Sequence, residues 1–300
     1  MKLSIWMLFL SGAAAIAQTA PVKTVNSECP VTGGQPAPFF RGGYCFLNDG
    51  ASLRVYAPNG AFAFASVPRL HGPDTVSILD AAVDPGAGFV MAVSSLAEKG
   101  LVLLDQYGIQ TNFIPIREFY PAHVAVSEEH SIWVAGDFGS RSKDHMLVHK
   151  YSNTGSELGS YLPFSSFPEG TIDPIMTGPD TTIVAGGGIV VVTARSGPGS
   201  NTAPLRELIR MDYSGNILTR TRLDNVREQR MVLTADGALY RCDNVTGLPV
   251  FRFSSSGTQT WQSVAKPEKV SALFGSDQGD LVYRVSNNSE KVTLQWYPQP

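Results

Sequence analysis

Helical periodicity is what this sequence most clearly lacks. No stretch of useful length repeats its apolar residues at three- and four-residue spacing, which excludes a helical bundle or a helical solenoid. A dominant charge is missing too: 23 basic residues stand against 26 acidic ones, a net charge of −3. Nucleic acid and anionic membranes need a basic footprint, so neither is an expected partner. Seven arginines between Arg206 and Arg241 are interleaved with Glu207, Asp212, Asp224, Glu228 and Asp236, the pattern of a solvated face. Catalytic signatures are equally scarce. No Gly-x-Ser-x-Gly elbow is present, and no helix follows Gly186-Gly187-Gly188 to bind phosphate, so that run reads as a tight turn. His145 and His149 stand four apart on what reads as loop and strand, not on the helix that zinc hydrolases use. A surface or loop role is expected for them and for His130, while His71 could reach a central channel.

Long apolar runs are absent beyond the first residues. Lys2, the apolar stretch 3–10 and Ala15-Ile16-Ala17 together predict a secretory signal peptide over residues 1–17, cut after Ala17. An uncleaved anchor is the alternative, although the run is short for the ~20 residues a bilayer needs. Residues 18–300 then form one domain in a secreted or periplasmic setting, with no later membrane span. Cysteine is sparse, at three in 300 residues. Cys29 and Cys45 flank a Pro/Gly-rich loop over residues 33–43. A disulfide there would contribute ~3 kcal/mol by loop entropy and would suit an oxidising compartment. Cys242 is then a buried thiol. Three reduced core cysteines are the other possibility.

What is plentiful is turn chemistry: 29 Gly and 20 Pro in a chain only 16% charged. Residues 207–212 alternate in polarity, Tyr213-Ser214-Gly215-Asn216 turns the chain, and 217–223 alternate again, which predicts a β-hairpin. The pattern recurs. Its turn glycines, Gly60, Gly108, Gly155, Gly215 and Gly257, stand 48, 47, 60 and 42 residues apart. A period in the forties with four strands per period is a propeller blade. The fold class is therefore all-β, a six-bladed β-propeller of four-stranded antiparallel blades, with five or seven blades as alternatives. The apolar run 189–194 reads as an insertion within the longest step. The last unit shows three strands, and the segment 22–31 is expected to supply its fourth and close the ring. The first unit also shows three, so the same segment could instead be its inner strand. Trp133, Trp261 and Trp296 sit within strands and are expected to pack between blades.

The third unit carries a family resemblance. Pro121-Ala122-His123-Val124-Ala125-Val126, then Ile132-Trp133-Val134-Ala135-Gly136-Asp137, then Leu147 to Tyr151 and Gly155, resembles an NHL-type repeat. The fifth unit (Leu239 to Asp243, Val250 to Phe253, Gly257) is similar, and His123 replaces the usual glycine. The resemblance implies a propeller of the NHL or TolB-like kind. Scaffolds, carbohydrate- and peptide-binding proteins, lactone hydrolases and lyases share that fold, so it does not fix function. The hydrolases of this kind use a Glu, Asn and Asp set on channel strands, and no channel Glu can be placed here.

Strand ends on one propeller face converge on the channel, which gives a candidate ligand ring: Asp49, Ser94, Ser95, Asp137, Asp243, Asn244, Asn287 and Asn288, with His123 and Asp173 at inner-strand starts. Oxygen-rich rings suit Ca²⁺, and His123 with Asp137 and Asp243 would suit a transition metal. The plain alternative is that Asp, Asn and Ser end strands because they make turns. The expected function is an exported binding module holding a glycan, peptide or protein partner. A metal-dependent lactone hydrolase or lyase, with the metal at the channel mouth, is the rival. A structural envelope protein would show no concave polar pocket.

Overall fold

The computed structural model describes residues 23–29, 39–72, 74–117, 119–138, 145–167, 174–175, 182–196, 205–223, 230–233, 238–242, 250–254, 256, 258–262, 270–275, 281–286 and 292–297. The chain is an all-β propeller whose strands form six antiparallel sheets. Strand β1 (Lys23–Ser27) comes first and is used last. The first sheet runs β2 (Phe39–Arg41), β3 (Tyr44–Asn48), β4 (Leu53–Tyr56) and β5 (Phe62–Ser66). The second holds β6 (Ser77–Asp84), β7 (Gly88–Ser94), β8 (Lys99–Leu104) and β9 (Gln110–Pro115). The third holds β10 (Phe119–Val126), β11 (Ile132–Phe138), β12 (Met146–Tyr151) and β13 (Glu157–Pro163). In the fourth, β14 (Pro174–Ile175) and β15 (Thr182–Gly186) both pair with β16 (Ile189–Ser196), followed by β17 (Leu205–Asp212) and β18 (Ile217–Leu223). The fifth is β19 (Arg230–Leu233), β20 (Leu239–Cys242), β21 (Val250–Phe253) and β22 (Gln259–Gln262). The sixth is β23 (Val270–Gly275), β24 (Leu281–Ser286) and β25 (Val292–Tyr297), completed by β1.

The inner strands touch in ring order. β6 lies against β10, β10 against β15, β15 against β19, β19 against β23, and β23 against β2, while the first sheet meets β6 through its second strand, β3. Closure is made by pairing, not by packing alone. β1 runs antiparallel to β25, with Lys23 opposite Trp296 and Ser27 opposite Val292. A sheet otherwise left with an open outer edge is thereby paired.

Two expectations need correction. Residues 39–41, read as part of a loop, form the first sheet's inner strand, and Gly42-Gly43 at φ 55° and 82° turn it directly into β3. A three-residue strand beside two glycines leaves too short a run for period-two alternation to register. The apolar run 189–194 is not an insertion: β16 is the fourth sheet's second strand. The extra length falls instead before β16, in a longer connection from β13 to β14 and in the interruption between β14 and β15, which pair with successive parts of β16.

Successive sheets pack face to face, and period-two alternation sends neighbouring residues of one strand into different cores. On β7, Phe89, Met91 and Val93 join the core shared with the first sheet, while Val90 and Ala92 join that shared with the third. On β11, Trp133 and Ala135 face the fourth sheet, while Ile132 and Val134 face the second. Both faces are buried, so these strands are nearly continuous apolar runs. Trp133 is fully buried beside Ile183, Val190 and Ile209, as its inter-blade assignment expected; the side chains of Trp261 and Trp296 lie outside the described residues.

The turn glycines have a second task. Gly60, Gly108, Gly155 and Gly215 adopt φ between 80° and 94°. Each packs against the outermost strand of the preceding sheet, facing Val25 on β1, Phe64 on β5, Ile114 on β9 and Tyr161 on β13 respectively. The Gly60 contact with β1 places that strand where every other sheet has its fourth. The turns are pinned by the residue three positions earlier. Asp105 Oδ1 accepts the N–H groups of Tyr107 and Ile109, Asp212 Oδ1 those of Ser214 and Asn216, and Ser152 Oγ that of Ser156.

Candidate functional site

A polar cluster joins the inner strands of the first four sheets. Arg41 closes β2, Asp80 lies within β6, His123 within β10, and Thr182 opens β15. Two matching bulges set the middle pair. Register shifts between Ile78 and Asp80 in β6, and between Pro121 and His123 in β10, leave Asp80 opposite Ala92 and His123 opposite Ala135. A bulge re-aims a side chain, and here it does so at corresponding positions of adjacent sheets.

Asp80 is the hub. Its Oδ1 accepts the Ala81 N–H at 2.9 Å and its Oδ2 the Val124 N–H at 3.0 Å. His123 Nδ1 lies 3.5 Å from Oδ2 and Arg41 Nη2 4.0 Å from it. Burial by itself would raise the Asp80 carboxyl, because an ion loses its hydration. The hydrogen bond from His123, the Arg41 charge and the Val124 N–H outweigh that, and its pKa falls below the ordinary value. Arg41 reaches on across the ring, where its Nη2 donates to Thr182 Oγ1 at 3.1 Å. Below this strut is a cavity of about 40 Å³, lined by Arg41 and by Ala, Val and Ile residues of β6, β10 and β15.

The expected ring residues are distributed unevenly. Asp49 is exposed, and its carboxylate accepts Ser52 N–H at 2.6 Å, Ser52 Oγ–H at 2.6 Å and Ala51 N–H at 3.1 Å. The Ser52 hydroxyl, first among these, holds its pKa down. That is turn chemistry. Asp137 sits opposite Tyr120 near the end of β11 and accepts the Phe138 N–H at 2.7 Å. His123 is drawn to Asp80. Asp173, Asp243, Asn244 and Asn287 lie outside the described residues. Among the described residues, no group of three or more His, Cys, Asp or Glu could hold a metal ion.

Two other histidines, His149 and His71, depart from expectation, while His130 and His145 take the loop positions expected of them. His149 is buried: its Nδ1 meets Glu157 Oε1 at 2.8 Å, its Nε2 meets the Met146 carbonyl at 3.1 Å, and its ring packs 4.4 Å from Phe119. His71 is exposed beside Glu98 and Phe113, at the rim and away from the inner strands. His130 pairs with Asp84 at 2.6 Å and His145 stacks on Phe138.

Cys29 and Cys45 are free thiols, both buried, where a disulfide was expected. They do stand side by side: the hydrogen bond that the Cys45 thiol makes to Cys29, with burial, pushes its pKa up. Arg41, Asp80 and Thr182 were not singled out from the sequence. Asp80 left a signal, an acid in the middle of the apolar run Ile78 to Val83.

No protein-family model matches the chain, and no curated protein is similar to it in sequence. Solved structures do resemble it in shape. A protein of unknown function from Bacteroides caccae shares 12% identity over 75% of this chain and 78% of its own, with a TM-score of 0.45. The Dos1 propeller shares 8% over 88% and 78%, with a TM-score of 0.47. An auxiliary nutrient binding protein from Bacteroides ovatus shares 12% over 86% and 68%, also at 0.47. Among the described residues, no helix is long and apolar enough to cross a membrane.

Proposed function

We propose that this chain is an exported six-bladed propeller of the NHL-like kind, acting as a binding module. Loops on one channel face would hold a glycan, peptide or protein partner. The state of the channel carries the reading. Arg41, Asp80, His123 and Thr182 direct polar atoms at one another, so the inner strands form a braced ring and recognition falls to the loops at its ends. The face residues are Asp49, His123, Asp137, Asp173, Asp243, Asn244 and Asn287, and Ca²⁺ is the cation such oxygen donors would suit. Export through a signal peptide over residues 1–17 belongs to the same reading. So does a Cys29–Cys45 bridge, which oxidation would form from the two adjacent thiols and which peptide mapping without reductant would reveal.

Glycan and peptide arrays probed with the protein purified from its exported fraction test the module. A variant with alanine at Asp137, Asp173 and Asp243 should lose the bound species while keeping the wild-type unfolding midpoint. Equal binding by both proteins would remove the face from consideration. The rival hydrolase or lyase reading draws on one observation, an imidazole held beside a carboxylate at His123 and Asp80, the arrangement of a general base. Elemental analysis of protein purified without chelator, with a thermal shift on adding EDTA, separates the two.

A further inference from the structure

Arg41 carries a donor with nowhere to send it. Its Nε is buried and has no hydrogen-bond partner among the described residues, while its Nη2 is engaged by Thr182. Asp80 does not answer the need. Its nearer oxygen is 4.0 Å from Nη2, and both its oxygens already accept backbone N–H groups. The cavity against the guanidinium, about 40 Å³, offers no acceptor side chain among the described residues, where the other eight that line it are alanine, valine or isoleucine. A buried cationic donor facing a small void is completed most economically by an anion, because an unsatisfied charged donor costs more than a neutral one. Size limits the choice. The void is about three times the ~10–15 Å³ that a single water needs on the same measure, which admits a halide, formate or a few waters and excludes a sugar or peptide. With Arg41 the sole charged side chain among the described lining residues, a divalent ion such as sulfate would keep an uncompensated charge there.

We propose that this cavity is a binding site for a small monovalent anion, of halide or formate size, held by Arg41 and linking the inner strands of the first four sheets. It rests on Arg41 and not on the loops that would hold a partner, and stands whether or not those loops bind anything. Thermal unfolding of the wild-type protein in chloride, bromide, formate or gluconate at constant ionic strength tests it. The three small anions should raise Tm saturably, by roughly 2–4 °C at ten times the dissociation constant, and gluconate should not. Arg41→Met should abolish the difference. If Arg41→Met does not fold, the ³⁵Cl NMR linewidth of chloride with wild-type protein replaces it, with broadening expected and bromide displacing it. Wild-type protein indifferent to which anion is present, or an Arg41→Met variant that responds as the wild type does, would overturn the proposal and leave the cavity to water.

Discussion

Replacing Gly108 by alanine should damage the molecule more than its place in an exposed turn suggests. Two costs add. The residue sits at φ 80°, where a Cβ costs about 1–2 kcal/mol. The new methyl would also be driven into the Phe64 ring, which is 6% exposed and packs 5.0 Å from Phe89. Overpacking of this sort costs about 1–3 kcal/mol. Gly86→Ala is the internal control, for it has the same backbone demand at φ 81° and nothing within 4 Å of the added methyl. Urea unfolding of the three proteins separates the terms: Gly86→Ala should lose about 1–2 kcal/mol and Gly108→Ala roughly 2–5 kcal/mol. Gly155→Ala should fall between them, because Ile114 lies 3.2 Å from the added atom and can rotate. Midpoints for Gly108→Ala and Gly86→Ala that agree within about 0.5 kcal/mol would refute the idea that turn glycines set the spacing between blades.

Three other outcomes are expected. Asp80→Asn should cost about 3–5 kcal/mol at neutral pH by stranding Arg41 and His123. Because folding lowers the Asp80 pKa, its contribution is present above the unfolded value near 3.9 and is lost as pH falls through the folded one; the variant's stability should therefore be flatter than wild type below about pH 4. A variant as steep in acid as the parent would contradict the assignment. His149→Phe keeps the packing on Phe119 but leaves Glu157 and the Met146 carbonyl without their imidazole partner, at about 1–2 kcal/mol by denaturant titration; no loss would mean the ring's polar contacts are idle. Val25→Pro should speed amide exchange over residues 292–297 and spare the second and third sheets, since β1 pairs with β25 alone; uniform acceleration would show that closure governs the entire fold.

The strands that can be read from the sequence are those long enough to show their period. Residues 207–223 announce a hairpin because seven or eight residues alternate on each side of Gly215. Residues 39–41 cannot, and a channel strand is lost with them, together with Arg41. The run 189–194 is visible but easily misplaced: without pairing partners, an interrupted inner strand looks like two strands and the next one looks surplus. Composition suggests that the site lies among strand-end Asp and Asn residues, and Asp49 shows the second use such residues have, since its carboxylate is occupied by its own turn. The cluster around Asp80 depends on two bulges, each of which inserts a residue and shifts the phase of alternation, so that a strict period-two reading misplaces the side chains beyond it.

The pairing of Lys23 with Trp296 gives the molecule a fixed order of assembly. Five sheets can form from contiguous chain while it is still being made, but the sixth must wait for its final strand and then recruit one from the opposite extreme. Until that moment two unpaired edges face solvent, so the interval before the ends meet is the period of greatest exposure to aggregation and proteolysis.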